Sequence, residues 1–173
     1  LATGVAVRAE TSTQPADTAA VPPSRPVKFL TDDQIEIHAT YVPPATKESV
    51  KAPIVILLHM YNKDRSGFDP LLPGLHERGF AVLAIDMRGH GQSVGPAAMN
   101  LPKRVADRDP KLFREMYRDV QAAYLWLSGQ PEADLNRFTL VGASVGCSVA
   151  LNYAGRDRSV DAVVCLTPGT KYL

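Results

Sequence analysis

Two patterns of apolar and polar residues divide the chain into predicted strands. The two kinds of residue alternate over 27–31 and 34–42, which predicts an antiparallel hairpin with one solvated face. Residues 53–59 and 80–86 are almost continuously apolar, as is typical of strands that are buried on both faces of a sheet. The chain therefore predicts a sheet with a hairpin on its amino-terminal side and a buried centre.

Two helices are predicted between and after these strands. Residues 68–78 predict a short helix with Asp69 as its N-cap, and its position between two buried strands predicts a parallel strand–helix–strand unit. The longest predicted helix covers 109–128, where apolar residues recur every three or four positions and form one core-facing stripe. The stripe consists of Phe113, Met116, Tyr117, Val120, Tyr124 and Leu127. Alternating strands and helices indicate an α/β fold.

The most informative stretch is Gly142-Ala143-Ser144-Val145-Gly146, which has the pattern G-x-S-x-G. An apolar predicted strand, 137–141, precedes it, and a predicted helix, 147–154, follows it. This order is that of a nucleophile elbow, in which a sharp turn exposes the serine hydroxyl. Only residues without a bulky side chain fit two positions before and after the serine, because neighbouring chain passes close by. The alternative is a glycine-rich turn in which Ser144 is an ordinary N-cap.

A second loop that carries reactive residue types covers 86–93. His90 and Asp86 in this loop could form a general base and its orienting acid. The alternative is structural, with Asp86 and Arg88 tying the loop down while His90 packs beneath it. We favour the structural interpretation, because such a bend needs polar groups to satisfy its backbone.

The composition of the chain mainly excludes some classes of function. The 173 residues are 45% hydrophobic and carry a net charge of +1 without a basic stripe, so nothing favours binding to nucleic acid or to an anionic membrane. No apolar run approaches the length of an integral membrane segment. Cys147 and Cys165 are interpreted as two buried thiols, and no cysteine and histidine cluster has the spacing of a metal site.

Residues 1–26 are rich in Ala, Thr, Ser and Pro and predict a disordered linker. The mildly apolar start and Val7-Arg8-Ala9 also fit the remnant of an export signal that is cut after Ala9. We therefore expect an exported protein, periplasmic or extracellular. The alternative is an arbitrary start of the chain and a cytoplasmic protein.

From residue 27 to residue 173 the order of these motifs resembles the α/β-hydrolase family, and within it the dienelactone-hydrolase-like and serine-esterase-like members. His59-Met60-Tyr61 is similar to the oxyanion segment that follows strand 3 in that family, and 86–93 is similar to its D-x-R-G-H-G-x-S loop. Residues 142–146 are similar to its nucleophile elbow. The resemblance implies a mostly parallel sheet flanked by helices, with the antiparallel hairpin at its amino-terminal end.

The resemblance also implies a serine hydrolase that acts on small esters or lactones. Ser144 is then the nucleophile, and the N–H of Val145 is one oxyanion donor. The second donor is a backbone N–H just after His59, which we assign to Tyr61. Because Met60 replaces the glycine of the family pattern, Met60 stays open as the alternative donor. This acyl transfer needs neither an organic cofactor nor a metal.

The acid and the histidine of such a triad follow the serine in chain order. After Ser144 the chain has no histidine, and its only acidic residues are Asp157 and Asp161. We therefore expect 27–173 to be a partial domain that is truncated after about strand 6, with the acid and the histidine beyond residue 173, and we expect the fragment alone to be inactive. The alternative is a non-catalytic protein of the same fold that binds a small molecule or a partner.

Overall fold

The computed structural model describes residues 23–45 and 51–169. The predicted export-signal remnant lies outside these residues, as does almost all of the predicted linker. The first strand begins at Arg25, two residues inside the segment that the sequence assigns to the linker.

The described residues form a six-stranded sheet with the strand order β1-β2-β4-β3-β5-β6. The strands are β1 (Arg25–Leu30), β2 (Glu36–Val42), β3 (Ala52–Leu58), β4 (Ala81–Ile85), β5 (Ala133–Ala143) and β6 (Val160–Leu166). β2 pairs antiparallel with β1 and with β4, and all other neighbours are parallel. The predicted hairpin and the mostly parallel sheet are therefore confirmed.

The α-helices of the described residues are α1 (Leu72–Glu77), α2 (Leu101–Ala106), α3 (Pro110–Glu115), α4 (Tyr117–Ser128) and α5 (Val145–Ala154). Two short 3-10 helices lie at Arg65–Leu71 and Ala97–Met99. None of these helices combines the length and the apolar character that a membrane span needs.

The helix predicted over 68–78 begins earlier and in a different form. The 3-10 helix Arg65–Leu71 comes first and leads directly into α1. Asp64, not Asp69, is the N-cap, because Asp64 has extended backbone and its carboxylate accepts a 2.9 Å hydrogen bond from the N–H of Ser66. Asp69 lies inside the helical turns, where a side chain cannot cap the first N–H groups.

The long helix predicted over 109–128 is interrupted at Met116. The N–H of Met116 donates to the carbonyl of Phe113, and the N–H of Asp119 donates to the carbonyl of Met116. These three-residue spacings tighten the chain locally and separate α3 from α4. The predicted stripe nevertheless faces the core, with Tyr117 and Tyr124 only partly buried.

β3 lies at the centre of the sheet and contributes to a core on each face. Ile54, Ile56 and Leu58 belong to the larger core, together with residues of α2 to α5. Val55 and Leu57 point to the opposite face, where Phe68 and Leu72 cover them. The prediction of a strand that is buried on both faces is confirmed.

A buried arginine fixes the loop 86–93 to two other parts of the fold. The guanidinium Nε of Arg88 lies 2.7 Å from the Asp119 carboxylate on α4, and its Nη atoms lie 2.8 and 3.1 Å from the Asp33 carboxylate in the hairpin turn. Burial raises the pKa of Asp119 to about 6, against the opposing effect of Arg88. Such a buried ion pair fixes the geometry of the loop, because either partner alone would be a buried, uncompensated charge.

β6 lies at the edge of the described sheet and is partly exposed. Val164 and Leu166 have exposed fractions of 44% and 39%. Cys165 on the same strand is only partly buried, so the prediction of two buried thiols is correct for Cys147 alone. The reason is that β5 borders β6 on one side, and no other described strand covers its second side.

Candidate active site

Ser144 occupies the sharp turn between β5 and α5. Its backbone angles are φ 52° and ψ −112°, a conformation that residues with a side chain rarely adopt, so the turn stores strain. Although Ser144 stands at the N-cap position, its side chain makes no capping hydrogen bond to α5. The interpretation of Ser144 as an ordinary N-cap is therefore wrong, and its hydroxyl is left for other chemistry.

The two glycines of the pattern are required by the close approach of three backbone segments. A Cβ on Gly142 would lie under 3.0 Å from the backbone of Gly146 and Cys147. A Cβ on Gly146 would lie under 3.0 Å from the carbonyls of Leu58 and His59. Since backbone cannot move aside as a flexible side chain can, the turn accepts only glycine at both positions.

The start of α5 places backbone amides next to Ser144. Because α5 begins at Val145, the N–H groups of Val145 and Gly146 precede the first helical hydrogen bond, which runs from the Cys147 N–H to the Ser144 carbonyl. The helix dipole adds partial positive charge at the same end. A negative charge that develops on a substrate oxygen here would be stabilised, and Val145 N–H stays the predicted first oxyanion donor.

The ring of His59 is buried, and both of its nitrogens have partners. Nε2 accepts a 3.0 Å hydrogen bond from the N–H of Met87, so Nδ1 carries the proton that it donates to the carbonyl of Met60 at 2.8 Å. Burial lowers the pKa of His59 to about 4. His59 is therefore a neutral structural group and has no free nitrogen with which to take a proton from Ser144.

The hydrogen bond from His59 also orients the next peptide group. The described residues contain no cis peptide bond, and in a trans peptide the C=O and the N–H point in opposite directions. Because the Met60 carbonyl points at the His59 ring, the Tyr61 N–H points away from it. This fixed direction suits a preorganised oxyanion donor, and Tyr61 N–H stays the predicted second donor.

A hydrogen bond and two ring contacts anchor the side chain of Tyr61. Its hydroxyl donates a 3.2 Å hydrogen bond to the carbonyl of Val105, and its ring lies against Phe113 and His90. Met60 is 42% exposed, so the side chain that replaces the glycine of the family pattern faces outward.

Asp86 joins the loop 86–93 to the 3-10 helix. Its carboxylate accepts hydrogen bonds of 2.9 Å from the N–H groups of Arg65 and Gln92, and it forms an ion pair with the Arg65 guanidinium. Arg65 also donates to Thr40 and to the Gln92 side chain. Sequence reasoning missed Arg65, because no local pattern links it to a carboxylate 21 positions away.

His90 packs beneath the same loop. Its Nδ1 lies 3.2 Å from the carbonyl of Arg88, and its ring meets the His59 ring edge-on with centroids 4.9 Å apart. Burial lowers the pKa of His90. No hydrogen bond joins His90 to Asp86 or to Ser144 in the part of the chain that the structure describes. This geometry agrees with the structural role that we favour for both residues.

An apolar groove with a volume of about 600 Å³ opens beside the elbow. Its lining includes Ala143, the neighbour of Ser144, together with His59 and Met60 of the predicted oxyanion segment. Its polar lining residues also include Lys63, Asp64, Ser66 and Thr167. The walls include Gly67, Phe68, Leu71 and Leu166. The groove therefore brings the elbow, the oxyanion segment, the 3-10 helix and the end of β6 to one place.

None of the described histidines forms a hydrogen bond to Ser144. Besides His59 and His90, the chain has His38, which lies beside Glu36 in the hairpin, and His76, whose Nδ1 lies 2.8 Å from the carbonyl of Pro43. Residues 23–45 and 51–169 also contain no group of three or more His, Cys, Asp or Glu side chains that could hold a metal ion.

Residues 49–172 match the model of the family described as "Serine aminopeptidase, S33". Because the match covers most of the chain, the protein belongs to this family of α/β hydrolases. The resemblance to α/β hydrolases is thereby confirmed.

Among curated proteins, the chain is 31% identical over 157 residues to the uncharacterized protein Rv2307c of Mycobacterium tuberculosis. The alignment covers 90% of this chain and 50% of that protein, so the chain spans about half the length of the curated relatives it matches.

Solved structures share the fold. DcsB, solved in complex with its substrate analogue, has a TM-score of 0.71 and 25% identity, with coverage of 84% of this chain and 45% of DcsB. The Pyrococcus furiosus esterase Pf2001 has a TM-score of 0.65 and 23% identity, covering 84% and 52% of the two chains. A dienelactone hydrolase-like promiscuous phosphotriesterase from metagenomic libraries has a TM-score of 0.66 and 24% identity, covering 85% and 59%.

We predict that Gly146→Ala destabilises the fold by about 3 kcal/mol or more, because the added methyl overlaps the β3 backbone. Gly67→Ala is the matched control, since a Cβ at Gly67 would meet no atom within 4 Å. Its effect should stay within about 0.5 kcal/mol. Urea unfolding of both variants measures the difference, and equal stabilities would contradict the close approach of α5 to β3.

We also predict that the contribution of His59 to stability is lost as the pH falls from about 6.5 to about 4. The pKa of His59 drops from 6.5 to about 4 on folding, so the unfolded chain takes up the proton first. This difference contributes about 3 kcal/mol, which is present in full above pH 6.5 and is lost as the pH approaches 4.

Thermal unfolding across this pH range measures the effect. His59→Gln keeps an acceptor for the Met87 N–H but does not titrate, so its melting temperature should depend less steeply on pH. The slope that remains combines His90, whose pKa burial also lowers, with Asp119, whose raised pKa adds stability as the pH falls. An identical slope in the wild type and in His59→Gln would contradict the assignment.

Proposed function

We propose that the protein is a serine hydrolase that cleaves small esters or lactones through an acyl-enzyme intermediate on Ser144. The observation that carries this proposal is the strained conformation of Ser144 at the start of α5, where its side chain makes no capping hydrogen bond. Strain of this kind at a residue beside a groove is typical of a group that is held ready for reaction. Membership of a hydrolase family supports the same proposal.

In the first half-reaction the Ser144 Oγ attacks the carbonyl carbon of the ester, and its proton passes to a general base. The carbonyl oxygen becomes an oxyanion, which accepts hydrogen bonds from the N–H groups of Val145 and Tyr61. Each such donor typically lowers the barrier by about 3 kcal/mol. The tetrahedral intermediate then expels the alcohol and leaves the acyl group on Ser144. By then the base has given the Ser144 proton to the departing alcohol.

In the second half-reaction the same base takes a proton from the water that attacks the acyl-enzyme, and it returns this proton to the Ser144 Oγ as the ester bond to Ser144 breaks and the acid leaves. His59 does not fit this role, because both of its ring nitrogens are already hydrogen-bonded. His90 lacks a bond to an orienting acid within the described residues. The proposal therefore takes the base and its acid from residues outside the described part of the chain.

Turnover by the product of the full-length gene tests the proposal. Ser144→Ala should lower kcat for p-nitrophenyl acetate by about 10⁴-fold or more. Ser148→Ala is the matched control, because Ser148 is buried in α5 one turn beyond the elbow and should keep wild-type turnover. An aminoacyl p-nitroanilide, measured in parallel, tests the peptidase activity that the family description suggests. Turnover that survives Ser144→Ala would contradict the proposal and favour a non-catalytic binding role for the elbow.

Residues 1–173 expressed alone should show little Ser144-dependent turnover, because no described histidine can serve as the base. The measurement compares this chain with the product of the full-length gene on p-nitrophenyl acetate, and size-exclusion chromatography checks that both are folded and soluble. Equal Ser144-dependent rates would overturn the prediction and would return His90 or His59 to consideration as the base.

A further inference from the structure

We propose that the apolar groove beside Ser144 binds the acyl chain of the substrate, and that Gly67 sets the space available to that chain. The enzyme should then prefer esters of medium-length apolar acids to acetate esters. This inference rests on the proposed function, because it takes Ser144 as the acylated residue.

The position of the groove fits an acyl chain. Ala143 precedes Ser144, and His59 and Met60 belong to the segment that carries the predicted second oxyanion donor. A carbonyl that is bound between Ser144 and this segment therefore has its acyl substituent at the floor of the groove. From there the groove extends to the 3-10 helix and to the end of β6.

The wall of the groove is chemically suited to hydrocarbon. Met60, Leu71 and Leu166 are large apolar side chains with exposed fractions of 42%, 44% and 39%, and all three line the groove. Burying such surface against a ligand removes it from water, which raises the binding constant about fourfold for each methylene group covered.

Two polar side chains of the groove, His59 and Asp64, are already committed to other partners, whereas the Lys63 ammonium group at its edge has no hydrogen-bond or ion-pair partner among the described residues. Both nitrogens of His59 are hydrogen-bonded, and the Asp64 carboxylate accepts hydrogen bonds from the N–H and the hydroxyl of Ser66. These groups therefore do not compete for a polar acyl substituent. The volume of about 600 Å³ also lies in the range of pockets that bind ligands much larger than acetate.

Gly67 is the position where the groove can be filled without strain. A Cβ at Gly67 would meet no atom within 4 Å, and its backbone does not have the positive φ that would exclude larger residues. Glycine at this point of the 3-10 helix is therefore not required by the fold. A large side chain there occupies open space at the wall and shortens the groove.

The test measures kcat/KM for p-nitrophenyl acetate and p-nitrophenyl octanoate with the product of the full-length gene. Wild type should favour octanoate by at least about tenfold, and Gly67→Phe should lower the octanoate-to-acetate ratio by at least about tenfold. Gly129→Phe is the matched control, because Gly129 is exposed at the end of α4, away from the groove, and should leave the ratio unchanged. The proposal would be overturned if the wild type preferred the acetate ester, or a p-nitrophenyl succinate monoester measured in parallel, to the octanoate ester. It would also be overturned if Gly67→Phe left the octanoate-to-acetate ratio unchanged.

A binding measurement separates this proposal from the proposed function. Calorimetry compares octanamide binding to Ser144→Ala and to Ser144→Ala with Gly67→Phe, so that no turnover is required. We expect the first variant to bind octanamide at least about tenfold more tightly. Equal affinities, or no binding to either variant, would overturn the acyl groove even if Ser144-dependent turnover is found. Tight binding without any turnover would support the groove and reject the hydrolase.

Discussion

The close approach of α5 to the end of β3 is the constraint on which the site depends. A Cβ on Gly146 would overlap the carbonyl of Leu58, and a Cβ on Gly142 would overlap Gly146 itself. Because two glycines remove these overlaps, the turn can hold Ser144 at a positive φ directly beside the segment that begins at His59. Ser144 and the proposed oxyanion donors are neighbours because these backbones touch.

Buried polar groups then hold the surrounding loops around this contact. Arg88 ties the loop 86–93 to α4 and to the hairpin, and Asp86 ties it to the 3-10 helix. His59 connects the same loop to the Met60 carbonyl and so orients the Tyr61 N–H. Because these groups form structural hydrogen bonds, the proposed mechanism uses Ser144 and backbone donors and takes its proton-transfer groups from residues outside the described part of the chain.

The features that could be predicted from the sequence are those encoded locally. The hairpin, the central strand β3 and the elbow follow from periodicity or from residue spacing over a few positions. The break at Met116 could not be predicted in this way, because the apolar stripe continues through both α3 and α4. The sequence favours Asp69 as the N-cap, but Asp64 caps the helix, and only the observed backbone distinguishes the two aspartates.

The groove could not be predicted from the sequence for a different reason. Its lining comes from 59–71, from Ala143 and from 166–167, and only the fold brings these three stretches together. The same limit applies to Arg65 and Asp86, whose pairing depends on how the 3-10 helix packs against the end of β4.

The central claim, that Ser144 is the reactive nucleophile, is tested most directly by mass-spectrometric mapping of a fluorophosphonate adduct on the product of the full-length gene. The account predicts one adduct, on Ser144, and an adduct on any other residue in an enzyme that hydrolyses esters would contradict it.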